Sequence, residues 1–121
     1  MPNNKKIGIQ GEQIARKFLE NKGYIVQEMN WRFSKAEIDI ICKKEEILIF
    51  VEVKTRSSEN FGDPASFVSL DQESMITDAA NEYMKQVNHE WEFRFDIIGI
   101  VVRESSVLKI DHYEDAFFPG I

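Results

Sequence analysis

The sequence predicts one α/β domain with elements in the order αβββαββ. Three observations lead there: two segments with apolar residues at helical spacing, five runs of strand-forming residues, and a second helical segment that divides the strand runs into groups of three and two. A chain of 121 residues with 43% hydrophobic content forms one domain, 1–121, and can bury a core of its own. From about Ile9, the residues Ile14, Ala15, Phe18 and Leu19 recur at helical spacing, and Gly23 supplies a stop. YIVQEMNWRF (24–33), AEIDIICKK (36–44) and ILIFVEVKT (47–55) read as strands. The charged KKEE turn makes the last two a hairpin. RSSENFGDPASF (56–67) is a polar loop, and Ser69 with Gln72 resembles a capping box opening the second helix. Met75, Ile76, Ala79, Ala80, Tyr83, Met84 and Val87 form its apolar stripe, which reads as core. FRFDIIGIVV (93–102) and VLKIDHY (107–113) complete a mixed sheet.

Composition narrows the function. The single cysteine, Cys42, lies in an apolar stretch and reads as a small buried hydrophobe in a reducing compartment. MPNNKKIGIQGE lacks the apolar core of a signal peptide, and no apolar run reaches membrane-spanning length. The expected location is the cytoplasm, without membrane contact. A net charge of −6 argues against a general nucleic-acid coat, but the total conceals an asymmetry. Residues 1–60 carry eleven Lys and Arg against nine acids, whereas residues 61–121 carry four against twelve. A polyanion would approach the first half.

That half holds ILIFVEVKT, in which Glu52 and Lys54 interrupt the most hydrophobic run. Phe50, Glu52 and Lys54 share one strand face and Ile49, Val51 and Val53 the other. A charge on an interior strand is costly unless it is paired, hydrated in a cleft or bound to a metal. The hairpin places Asp39 roughly opposite Glu52, and Glu37 shares a face with Asp39, so up to three carboxylates and Lys54 converge. Like charges so close require a cation between them or a bound proton. Mg²⁺ or Mn²⁺, which take carboxylates, a backbone carbonyl and waters, fit such a donor set. With Lys54 orienting an attacking water, the set is equipped for phosphodiester hydrolysis. A cross-strand salt bridge at a sheet end would explain the same residues, and is worth under ~1 kcal/mol when exposed.

Other candidates carry less. His89 and His112 lack metal-ligand spacing and read as surface or core-edge residues; Trp31 and Trp91 read as packing. Asp96, at the start of an apolar strand, fits either that strand's end or the rim of the site. No phosphate-cradling glycine loop, nucleophile elbow or cysteine cluster is present.

Gly8-x-x-Gly11-Glu12-x-x-Ala15, Asn30-Trp31-Arg32, Glu37-Ile38-Asp39, Phe50-Val51-Glu52-Val53-Lys54-Thr55-Arg56, Arg94-Phe95-Asp96 and Ala116-Phe117, in this order, resemble the YraN family. That bacterial family is similar to restriction endonucleases and archaeal Holliday junction resolvases. The resemblance implies a restriction-endonuclease-like fold, a central mixed sheet flanked by helices, and a nuclease acting on DNA, including branched or structured DNA. It carries Asp39, Glu52 and Lys54 onto the Asp…Glu-x-Lys motif, with Asp39, Glu52, the Val53 carbonyl and Glu12 as metal ligands. Glu37 and Arg56 are supporting candidates. Related resolvases are two-fold dimers, which implies a homodimer. Two departures stand out: Ala36 replaces the glycine usual before Glu-Ile-Asp, and Gln72 and Met75 stand where the family tends to place lysines. The alternative is a non-catalytic module that keeps the fold and binds a nucleic acid or a protein. Glu12 also has a local reading, as an ion-pair partner of Arg16 in the first turn of its helix.

Overall fold

The computed structural model describes residues 4–57, 67–104 and 106–117, with side chains from Gln10 onward. The elements are α1 (Asn4–Asn21), β1 (Ile25–Phe33), β2 (Ala36–Lys44), β3 (Ile47–Arg56), α2 (Leu70–Gln86), β4 (Phe93–Arg103) and β5 (Ser106–Tyr113). Both the α/β class and the order αβββαββ are as the sequence predicts. The first helix starts five residues before Ile9, because Asn4 and Gly8 are poor helix formers and hide its opening turns from a propensity reading. Most of the loop expected at 56–67, and the surroundings of Gly8, lie outside the described residues.

The sheet order is β1-β2-β3-β4-β5. Neighbours are antiparallel except β3 and β4, which are parallel, so α2 is the crossover connection that parallel strands require. This is the mixed sheet flanked by helices expected of the restriction-endonuclease-like fold. On one face α2 packs Ile76, Ala79, Ala80 and Tyr83 against Ile38, Ile41, Phe50, Phe95 and Ile97. On the other, α1 packs Ala15 and Leu19 against Ile40, Ile49, Val51, Ile98 and Ile100. Each fully buried aliphatic side chain contributes about 1.5–3 kcal/mol. No helix among the described residues is long and apolar enough to cross a membrane.

Local chemistry ends the helices where the sequence indicates. Gly23 takes the left-handed conformation, φ 91°, and the Lys22 and Tyr24 N–H groups return to the Leu19 carbonyl at 3.0 Å. Ser69 caps α2, its hydroxyl accepting from the Gln72 N–H at 3.1 Å. Two positions of the α2 stripe depart from their core assignment, and one of them, Val87, is exposed where it caps the helix at its C-terminal end. The other, Met75, is 39% exposed, because the first turns of α2 border a cleft.

Asp96 resolves differently from either sequence expectation. Fully buried on β4, it lies at neither the strand end nor the cleft rim. Arg94 donates to both its oxygens (Nε to Oδ1 at 2.8 Å, Nη2 to Oδ2 at 2.9 Å), the Asp115 N–H donates to Oδ1 at 2.9 Å, and His112 Nε2 meets Oδ2 at 2.7 Å. Lys22 Nζ stands 2.9 Å from the other ring nitrogen of His112, and Arg94 also donates to the Tyr24 hydroxyl at 3.1 Å. The network therefore fastens the end of α1 to β4 and β5. Burial alone would raise the Asp96 pKa, but His112, Arg94 and the Asp115 N–H outweigh it and hold the carboxyl below its ordinary value.

A lowered native pKa contributes stability that is present above the unfolded value and lost as pH falls through the native one. Asp96→Asn should therefore cost about 3 kcal/mol or more at pH 7 in urea denaturation, since it leaves Arg94 without its partner. That difference should narrow as pH falls below about 4.

Candidate functional site

Strands β2 and β3 pair from Lys44 opposite Ile47 up to Ile40 opposite Val51, and there the ladder stops. Beyond that point β2 follows β1, with Ile38 opposite Trp31, while β3 follows β4, with Glu52 opposite Ile97 and Lys54 opposite Gly99. The sheet forks, and Asp39 stands in the fork. Its Oδ2 accepts the Val53 N–H at 2.8 Å, replacing a ladder bond. The N–H and C=O of one strand residue point to the same edge, so the Val53 carbonyl also faces the fork.

Side-chain alternation reverses at the same level. Ile38 belongs to the α2-side core and Ile40 to the α1-side core, although residues two apart on a regular strand share a face. Opposite them, Trp31 packs on the α2 side and Met29 on the α1 side. Between these two lies Asn30, with a left-handed φ of 52°. The expected arrangement of Asp39 and Glu52 as simple cross-strand neighbours on one face is thus corrected. Glu52 lies on the Phe50 face, and Asp39 reaches it through the fork.

Four carboxylates gather here. Glu12, Glu37 and Asp39 each present an oxygen within 4.8 Å of the others. Asn30 Nδ2 donates to Glu12 Oε2 at 2.9 Å and to Glu37 Oε1 at 2.8 Å, and Arg32 pairs with Glu37 at 2.9 Å. Glu52 is 4% exposed, and its Oε1 is buried without a hydrogen-bond partner among the described residues. Burial first, and the adjacent Asp39 charge second, push the Glu52 pKa well above its ordinary value. Burial also raises Asp39, opposed by the Val53 N–H and by Glu52, so the two neighbouring carboxyls both hold a proton more tightly than ordinary ones. Burial raises Glu12 as well, with the Asn30 amide opposing.

These groups open into a cleft of about 980 Å³. Lys35 from the β1–β2 turn and Lys54 and Arg56 from β3 line the sheet side; Ser69, Asp71, Gln72 and Met75 from α2 line the other. Lys54 forms no ion pair among the described residues, so the cross-strand salt bridge that could have explained the motif is absent there. Arg56 is exposed and donates to the Thr55 carbonyl at 3.1 Å.

Glu12 also departs from its local reading. Because α1 begins at Asn4, Glu12 lies in the third turn, and Arg16 pairs with Glu20 at 3.5 Å. A Cβ at Gly11 would run into the Thr55 hydroxyl, so glycine permits the close crossing that sets Glu12 over the fork. Sequence reasoning assigned no role to Asn30. Its one signal was asparagine inside a strand, the residue type that best tolerates a left-handed backbone.

A solved structure of Pyrococcus furiosus SfsA in complex with Ca²⁺ aligns with 93% of this chain and 64% of that chain, at a TM-score of 0.38 and 14% identity. Much nearer in sequence are a UPF0102 protein of Flavobacterium psychrophilum, 48% identical over 118 residues and 98% of both chains, and one of Bacteroides thetaiotaomicron, 40% identical over 121 residues, covering 100% of this chain and 99% of that one. The model of Uncharacterised protein family UPF0102 matches residues 11–100, from the Gly11 crossing through the forked strands to β4. The chain belongs to this family, to which its YraN-like motifs also point.

Proposed function

We propose that this protein is a metal-dependent nuclease that hydrolyses phosphodiester bonds in DNA, with branched or structured DNA as its substrate. The observation that carries this reading is Glu52 Oε1, a buried carboxylate oxygen with no donor among the described residues, beside the carboxylate of Asp39. A buried carboxylate in a structural role is paired, as Asp96 is, and one without donors is neutralised by a proton or by a cation, the cation being the choice that crowded carboxylates in an open cleft favour. The donor set consists of hard oxygens, which suits Mg²⁺ or Mn²⁺. Asp39, Glu52, the Val53 carbonyl and Glu12 would hold the ion, with Glu37 in support. When bound, it supplies charge neutralisation and Lewis-acid polarisation of the phosphodiester.

The chain's own residues do the rest. Lys54, half-buried in the cleft beside Glu52, positions the attacking water and offsets charge on the phosphate. Lys35 and Arg56 receive the flanking phosphates. The described residues of each chain hold one such carboxylate centre, so paired cuts in a two-fold junction require two copies. A second reading, a non-catalytic module binding a nucleic acid or a protein, draws on the α2 wall. There Asp71, Gln72 and Met75 offer no phosphate-binding cation.

At 100 times its Kd, Mg²⁺ or Mn²⁺ should stabilise the protein by about 2.7 kcal/mol, roughly 10 °C in Tm. Asp39→Asn should abolish that rise. In metal-free protein, the folded state holds the Glu52 proton more tightly than the unfolded chain, so stability should fall as pH rises above about 4.3 towards the raised native pKa. Glu52→Gln should flatten that fall, and a parallel pH profile in both proteins would contradict the assignment.

Cleavage separates the two readings. Lys54→Ala should lower the rate on a panel of DNA structures by about 10²–10⁴-fold while keeping the metal-induced Tm rise, since the lysine is not a ligand. Wild-type protein that binds DNA yet leaves every structure uncut with both metals would favour the module. Three cleft cations also predict a shallow salt dependence, a slope of about −2.7 in log K against log salt on duplex DNA. A slope of −6 or steeper would place the nucleic acid elsewhere on the molecule.

A further inference from the structure

We infer that Asn30 is the positioning residue of the carboxylate centre: its side-chain amide holds Glu12 and Glu37 beside Asp39, and its left-handed backbone aims that amide. The inference rests on reading the centre as a cation site, and it assigns the residue that shapes the site before the ion arrives.

The amide of Asn30 has two N–H bonds and gives both to carboxylates, at 2.9 Å to Glu12 and 2.8 Å to Glu37. These acceptors come from different elements, α1 and β2, and nothing in their local sequence brings them together. Two carboxylates at such a separation repel unless a donor stands between them. A lysine or arginine there would neutralise the pair and compete with a metal ion. A neutral amide orders the two oxygens and leaves their charge for the cation.

The backbone explains why this amide can reach both. Met29 faces α1 and Trp31 faces α2, so a residue between them on a regular strand would alternate away from Met29. The left-handed step at Asn30, φ 52°, breaks the alternation and turns its side chain to the α1 side with Met29, where Glu12 stands. Asparagine tolerates this conformation and carries the donor; glycine tolerates it and carries none. The two contributions can therefore be separated by mutation.

Mn²⁺ binding to the full chain is measured by calorimetry for wild type, Asn30→Gly and Asn30→Ala. Asn30→Gly should melt within a few degrees of wild type yet bind Mn²⁺ about 10–100-fold more weakly, the usual consequence of losing a group that orients metal ligands. Asn30→Ala should lose both stability and affinity. Wild-type affinity in Asn30→Gly would overturn the proposal and leave Asn30 a backbone role alone. If wild type itself bound no Mn²⁺, the cation reading would fail and this role with it, an outcome distinct from equal binding by both proteins. A readout that needs no variant at this position is the Asn30 side-chain amide in metal-free protein. Asn30 is exposed, so the readout is the position of its two side-chain amide proton resonances, which should shift in Glu12→Gln and in Glu37→Gln; resonances that moved in neither variant would equally overturn the assignment.

Discussion

The fork between β2 and β3 is the constraint on which the rest of the molecule depends. Every buried backbone N–H needs an acceptor, and a ladder that simply stopped would strand the one at Val53. Asp39 solves this with a side chain, accepting the Val53 N–H at 2.8 Å. That one bond lets β2 leave β3 and continue along β1 while β3 continues along β4. It fixes the Asp39 carboxylate against a rigid strand, turns the Val53 carbonyl into the same gap, and opens the cleft that α1 and α2 border from opposite faces. With a non-accepting side chain at 39, the fork would have to close or fill with water.

Two buried carboxylates show how differently this fold treats charge. On β4, Asp96 has four donor contacts from Arg94, His112 and the Asp115 N–H, which hold its pKa low and tie α1 to the far strands. Glu52 on β3, one strand away at nearly the same level, keeps an oxygen without any donor among the described residues and has a raised pKa. Composition is not the cause, since lysines are available and Lys54 is two residues away. The cost of leaving Glu52 unsatisfied is borne by the apolar cores on both faces of β3. This is how a stable scaffold supports a strained site.

The element order, the β2–β3 hairpin, the Ser69 cap and the Gly23 stop were legible because each depends on local spacing or turn chemistry. The gathering of Glu37, Asp39 and Glu52 was legible through register, since a tight hairpin fixes which residues oppose one another. What period-2 reasoning could not supply was the reversal at Asn30 and Asp39. It assumes unbroken alternation, and a left-handed asparagine inside a strand violates that assumption without a glycine or proline to announce it. The third-turn position of Glu12 was hidden for a related reason: the opening of α1 is poor in helix formers. The exposure of Met75 followed from the cleft, and a stripe of apolar residues at helical spacing cannot tell whether its first turn meets a sheet or a gap.

Charge in the cleft gives the proposed reading an internal consistency that neither half of the sequence shows alone. The lining carries Glu12, Glu37, Asp39, Glu52 and Asp71 against Lys35, Lys54 and Arg56, five acids and three cations. Fully ionised, that surface repels a polyanion, and a proton taken up by Glu52, whose pKa is raised, would remove only part of the excess. A single divalent cation brings the lining to neutrality and leaves the three basic side chains, all on the sheet side, free to receive phosphate. On this reading the cleft discriminates by order of binding. A nucleic acid meets net repulsion until the carboxylates are neutralised, and the acidic second half of the chain discourages it from settling elsewhere. The negative total charge is then compatible with action on DNA, because affinity is confined to one neutralised cleft instead of being spread over the surface.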